Sequence, residues 1–167
     1  MVNVNDPREV IDFLRKDENR YIFGEGRDIT GKWYAKKRHG VCIQLRQFFG
    51  KDNQGVSLHY EIEEYDNGIN VEIHSETGTP SDVHAFIQKQ FEVHIKPRTT
   101  DSYRFATIGI TWKGRTLDDI VNDIKKAVDT LYRKYDAYLN FVEGYYAGKG
   151  NLDGCKSYAA FMQELTA

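Results

Sequence analysis

The sequence predicts an α+β domain built on a mostly antiparallel sheet of about 5–7 strands, with one face covered by a long C-terminal amphipathic helix and by shorter helices. Three observations carry this reading. Several segments between residues 41 and 112 alternate apolar and polar residues with a period of two. They follow one another mostly without intervening helices, which favours antiparallel pairing. One stripe late in the chain repeats instead at three- and four-residue steps.

The elements follow in order. Asp6-Pro7-Arg8-Glu9 starts a short helix: Asp6 caps orphan N–H groups, Pro7 suits the first helical position, and Val10, Ile11 and Leu14 form its apolar stripe. Strands are expected over Val41–Phe49, Val56–Tyr65 and Ile69–Glu76, where apolar side chains alternate with polar ones. Asn67-Gly68 is expected to join the last two in a tight type I′ hairpin. A second helix opens at Thr79-Pro80-Ser81-Asp82. Alternation then returns at Phe91, Val93 and Ile95 and again at Ala106, Ile108, Ile110 and Trp112.

The strongest helix is expected over about 116–143. Thr116 caps it, Asp118 and Asp119 complement its dipole, and its stripe runs from Leu117 through Ile120, Ile124, Val128, Leu131, Tyr135 and Tyr138 to Val142. Gly144, Gly148 and Gly150 are expected to end it, with Tyr145 to Gly150 as an exit loop. A last short helix is expected from Cys155 to Leu165. No domain boundary interrupts this order, so residues 1–167 read as a single domain.

Composition narrows the function classes without choosing among them. The net charge of -2 gives no global attraction to nucleic acid or membrane. No apolar run approaches the about 20 residues that span a bilayer, and Met1 to Asn5 lacks the basic and apolar parts of a signal peptide. Cys42 and Cys155 are far apart and form no CxxC pair, so they read as free thiols of a cytoplasmic protein.

Gly26-Arg27-Asp28-Ile29-Thr30-Gly31-Lys32 imitates a P-loop, but Trp33 stands where a magnesium-binding Ser or Thr belongs, and Trp33-Tyr34 reads as strand rather than helix. No cofactor is expected. Cys155 follows Gly154 near a helix start, yet no base is identifiable for it, and no catalytic constellation is complete.

Two features remain. Arg27 to Lys51 holds seven basic residues and one acid, whereas Asp52 to Asp82 holds eight acids and neither Lys nor Arg. The basic part offers Lys32, Trp33, Lys36, Lys37, Arg38 and Arg46 as a binding surface, with aromatics beside cations that suit phosphates and unpaired bases. The same strand is compatible with an acidic protein partner or with the acidic hairpin of a second copy in a homodimer.

The hairpin offers the other feature. If Asn67 and Gly68 are the turn, opposed positions sum to 135 and one face collects His59, Glu61, Glu63, Glu72, His74 and Glu76. The plain reading of that face is a solvated one with cross-strand Glu–His pairs. The chemical reading takes His59, Glu61, Glu63, Glu72 and His74 as ligands of a divalent metal that would relieve Glu63–Glu72 repulsion.

The sequence therefore favours a non-enzymatic binding domain that uses a charge-polarised sheet toward protein or nucleic acid. A metal-dependent hydrolase or nuclease centred on the 59–76 hairpin is the alternative.

Overall fold

A computed structural model describes residues 2–167 except positions 26, 28, 35–40, 50–56, 66, 77, 92–94, 100 and 101. The fold is α+β, with an antiparallel sheet and a long C-terminal helix. In chain order the elements are α1 (Pro7–Arg15), β1 (Ile29–Tyr34), β2 (Val41–Phe48), β3 (Leu58–Tyr65), β4 (Gly68–Ser75), α2 (Ser81–Gln90), β5 (Ile95–Thr99), β6 (Ser102–Ile110), α3 (Leu117–Leu131), α4 (Ala137–Lys149) and α5 (Tyr158–Thr166). The sheet order is β1-β2-β3-β4-β6-β5, so β3 and β4 lie in the middle. No described helix is long and apolar enough to cross a membrane.

Local chemistry sets the helix ends. The Asp6 carboxylate accepts from Arg8 N at 2.9 Å, and Pro7 occupies the first position of α1. Thr116 caps α3 by accepting from Asp119 N at 3.3 Å. Ser157 does the same for α5 through Ala160 N at 3.1 Å, which starts that helix three residues later than the sequence suggested.

The long helix does not stop near residue 143 as expected. A π-helical turn over Tyr132–Asp136 links α3 to α4, and the helix continues through Gly144 and Gly148 to Lys149. Two glycines inside a helix cost about 1 kcal/mol each relative to alanine, which packing elsewhere along α4 outweighs. Only Gly150, at φ 72, takes the left-handed conformation that ends it.

One face of the sheet packs on α1, α3 and α4. Ile43, Leu45, Tyr60, Ile62, Val71, Ile73 and Phe105 meet Val10, Ile11, Leu14, Ile124, Val128, Tyr138 and Val142 in one buried core. Bulges keep this face apolar where strict alternation would fail. In β2 the register slips between Leu45 and Gln47, and Arg46 adopts φ 24. In β6 it slips with Ala106 at φ 57, so Phe105 pairs with Ile73 and Ile108 with Val71, although Phe105 and Ile108 are three residues apart.

The β2 bulge meets the π-turn across the core. Tyr60 stacks on Tyr132 with centroids 4.1 Å apart and donates from its hydroxyl to Asp136 Oδ1 at 2.8 Å. Arg46 Nη2 donates to Glu143 Oε1 at 3.2 Å, and Glu143 Oε2 accepts from Phe49 N at 2.7 Å. Each irregularity thus brings polar groups of the other into reach.

The hairpin register differs from expectation. Tyr65 pairs with Gly68 and Leu58 with Ser75, so opposed positions sum to 133 rather than 135. The turn falls one residue early because Asn67, not Gly68, supplies the left-handed position, at φ 63. Glu64 Oε1 accepts from Asn67 N at 3.1 Å, and Asn67 O accepts from Trp112 Nε1 at 2.8 Å, which holds the turn there. The slip of two preserves which side chains share a face and changes which oppose one another.

Candidate metal centre

The sheet face opposite α3 is not the solvated face that the sequence suggested. His59, Glu61, Glu63, Glu72 and His74 are all buried, with His59 and Glu72 at 0 % exposure. Burial without partners would cost each group several kcal/mol, so the contacts among them decide what the site is. In the observed register His59 opposes His74 and Glu61 opposes Glu72, while Glu63 opposes Asn70. The expected Glu63–Glu72 and Glu61–His74 oppositions become diagonals.

Three side chains converge first. His59 Nδ1 lies 2.9 Å from the Ser57 carbonyl oxygen, an acceptor only, so the ring proton sits on Nδ1. The ring then turns Nε2 inward. That nitrogen is buried, has no hydrogen-bond partner among the described residues, and faces Glu61 Oε1 at 3.6 Å. On the other side Glu61 Oε2 accepts from His74 Nδ1 at 2.9 Å, and Glu76 Oε1 approaches the same nitrogen at 3.0 Å. Glu76 and the rim of His74 mark where this cluster approaches solvent, with side chains 27 % and 10 % exposed.

A second group adjoins it. Arg104, from β6, places Nη1 2.7 Å from Glu63 Oε1 and Nε 3.5 Å from Glu72 Oε1. Thr107 donates to Glu72 Oε2 at 3.1 Å. The ligand-type atoms of His59, Glu61 and His74 lie within 4.8 Å of one another, and so do those of Glu61, Glu63 and Glu72. Glu61 is common to both sets.

Proton affinities follow this crowding. Burial alone would raise the Glu61 carboxyl, but the adjacent imidazoles, His74 with its hydrogen bond among them, outweigh it and hold Glu61 well below the usual carboxylate range. Burial, then the charge and hydrogen bond of Glu63, push Glu72 up to about 10 against the pull of Arg104. Burial would lower His74, yet its hydrogen bond to Glu61 and the charges of Glu61 and Glu76 raise it above the ordinary histidine value. The crowding therefore favours the ionised form of Glu61 and the protonated forms of Glu72 and His74.

The basic surface fares differently. Lys36, Lys37 and Arg38 lie outside the described residues. Lys32 and Trp33 are in β1, where they pair with Ile43 and Cys42 of β2. Arg46 was read as alternating onto the polar face, but the bulge turns it to the helix side, where it pairs with Glu143 and sits over the Phe48 ring. Sequence reasoning missed Arg104 and Thr107. Their signal was faint, because the β6 bulge between them breaks the alternation that would place both on the polar face.

Comparison with protein-family models, with curated proteins and with solved structures found no match.

Proposed function

We propose that the protein is a metal-dependent hydrolase whose divalent ion is held by His59, Glu61 and His74. The observation that carries this reading is His59 Nε2, fully buried and facing Glu61 Oε1 at 3.6 Å with no hydrogen bond among the described residues. Two ligand atoms about 2.1 Å from a tetrahedral ion stand about 3.4 Å apart, so this gap suits one shared ion better than a proton. The Nδ1 contact to Ser57 O is the kind of outer bond that fixes a metal-bound histidine in its tautomer.

Two histidines and one carboxylate are a donor set of catalytic zinc sites, which keep a further position for water and lower the pKa of that water. In the metal-free state the proton shared by His74 with Glu61 and Glu76 stands in for the ion's charge.

The test is metal uptake by the chelator-treated protein, followed by calorimetry and thermal unfolding with Zn and Mn salts. A ligand that binds only the folded state at a hundredfold its Kd stabilises it by about 2.7 kcal/mol. Wild type should gain stability, and His59→Ala and Glu61→Gln should not. Unchanged unfolding of the wild type with both ions would overturn the reading.

A further inference from the structure

We infer that the aromatic groove under α5 is a docking site for a helix that begins Ser-Tyr-x-x-Phe, and that α5 occupies it as a built-in ligand which a partner helix of that pattern displaces.

The floor of the groove is drawn from separate elements. Phe91, just past α2, stacks on Phe105 of β6 with centroids 4.5 Å apart. Tyr135 of the π-turn meets these two rings edge-on at 5.4 and 5.9 Å, and Tyr138 of α4 stands edge-on to Phe91 at 6.2 Å. Onto this floor α5 lays two rings three residues apart, a spacing that puts both on one helical face. Tyr158 lies 5.1, 5.6 and 5.3 Å from Phe91, Tyr135 and Tyr138, and Phe161 lies 5.4 Å from Tyr138.

Polar contacts make the slot selective for the start of a helix. Tyr158 N, a first-turn donor without a partner inside α5, donates to Gln90 Oε1 at 3.0 Å. The Tyr158 hydroxyl donates to the carbonyl oxygen of Lys134, within the π-turn, at 2.9 Å. Ser157 caps the helix, so serine, tyrosine and the second ring each have a task. Amphipathic helices that lie in grooves are recognised by anchors at this spacing.

The hold on α5 is light. None of its nine residues is buried, and Leu165 is 59 % exposed. A helix this short is marginal by itself, so its order depends on those two rings. The chain is pinned just before it, where Lys156 O accepts from the Tyr138 hydroxyl at 2.8 Å, so release needs only the residues from Ser157 onward to move.

A labelled peptide of residues 157–167, titrated into the full chain and read by fluorescence anisotropy, tests this. Tyr158→Ala/Phe161→Ala, whose own α5 can no longer fill the groove, should bind the peptide saturably. Wild type should bind it about tenfold more weakly or worse, because its tethered α5 competes at an effective concentration near millimolar. A peptide carrying Tyr158→Phe should lose about fivefold, the hydroxyl bond to Lys134 being absent. Absence of binding to the double variant would overturn the docking site, and equal binding to wild type and variant would overturn the displacement. Hydrogen exchange of wild type gives a check that needs no variant. The amides of α5 should exchange about a hundredfold faster than those of α4, and equal protection would show α5 to be a fixed part of the core.

Discussion

The Tyr60 hydroxyl donates to Asp136 Oδ1 at 2.8 Å, tying the middle of β3 to the π-turn of the long helix. Tyr60 is buried in the core, and its hydroxyl is raised well above the ordinary tyrosine value by burial and then by the charge of Asp136. A π-turn misplaces one residue of a helical stripe, and here the misplacement brings Asp136 within reach of the strand. Tyr60→Phe should therefore cost about 1–2 kcal/mol in urea unfolding, because Asp136 Oδ1 loses a charge-assisted hydrogen bond from the core. A loss under about 0.3 kcal/mol would show that water serves Asp136 equally well.

The β6 bulge gives a second prediction. Ala106 holds φ 57, where a side chain crowds the backbone and glycine does not. Ala106→Gly should leave stability unchanged or raise it by up to about 1 kcal/mol, whereas Ala106→Val should lower it by about 1–3 kcal/mol. Denaturant midpoints of the two variants check the sign. Equal effects would mean that the bulge relaxes when substituted.

The two central carboxyls should respond in opposite ways to amide substitution at pH 7. Glu61 is ionised against His74, and removing one partner of a buried pair typically costs about 3–5 kcal/mol. Glu72 keeps in the folded state a proton that the unfolded carboxyl loses by pH 7, so Glu72→Gln removes that cost and should raise stability. Similar losses for Glu61→Gln and Glu72→Gln in chelator would contradict the assigned protonation states.

The same assignments fix a pH dependence for the metal-free protein. Folded Glu72 keeps its proton up to about pH 10, while the unfolded carboxyl loses it near 4.5. Across that interval the folded state binds the extra proton, so stability falls as pH rises. His74, raised on folding, acts with the same sign above the ordinary histidine value. Glu61, held low, acts oppositely: its stabilisation is complete above the ordinary carboxylate value and is lost as pH falls through the acid range. Thermal unfolding in chelator should thus show a higher Tm near pH 5 than near pH 9, with a shallower decline in Glu72→Gln. A Tm that rises over this range would refute it.

Thr116 offers a simpler check on how α3 begins. Its hydroxyl serves Asp119 N, and Thr116→Ala should cost about 1 kcal/mol by chemical denaturation. No loss would mean that solvent caps the helix as well as the hydroxyl does.

Much of this fold was legible because period-two and period-3.6 patterns report burial on one face directly. Ile43, Leu45, Tyr60, Ile62 and Ile73 were all readable as core. The bulges were not, since one inserted residue such as Arg46 looks like ordinary alternation until its partner strand is known. The hairpin slipped by two because Asn67 tolerates the left-handed region nearly as readily as glycine, so both turns suit the sequence. The five candidate ligands were legible as one face. Their burial was not, because His and Glu at alternate positions look alike whether water or protein lies over them. Pairing with Arg104 of β6, a strand outside that hairpin, helps make that burial tolerable.

The place of β3 and β4 in the strand order bears on time as well as on energy. Sheets fray from their rims, here β1 and β5, and the middle strands open last, near the free energy of global unfolding. Anything coordinated between His59 and His74 would thus join the two strands that open last.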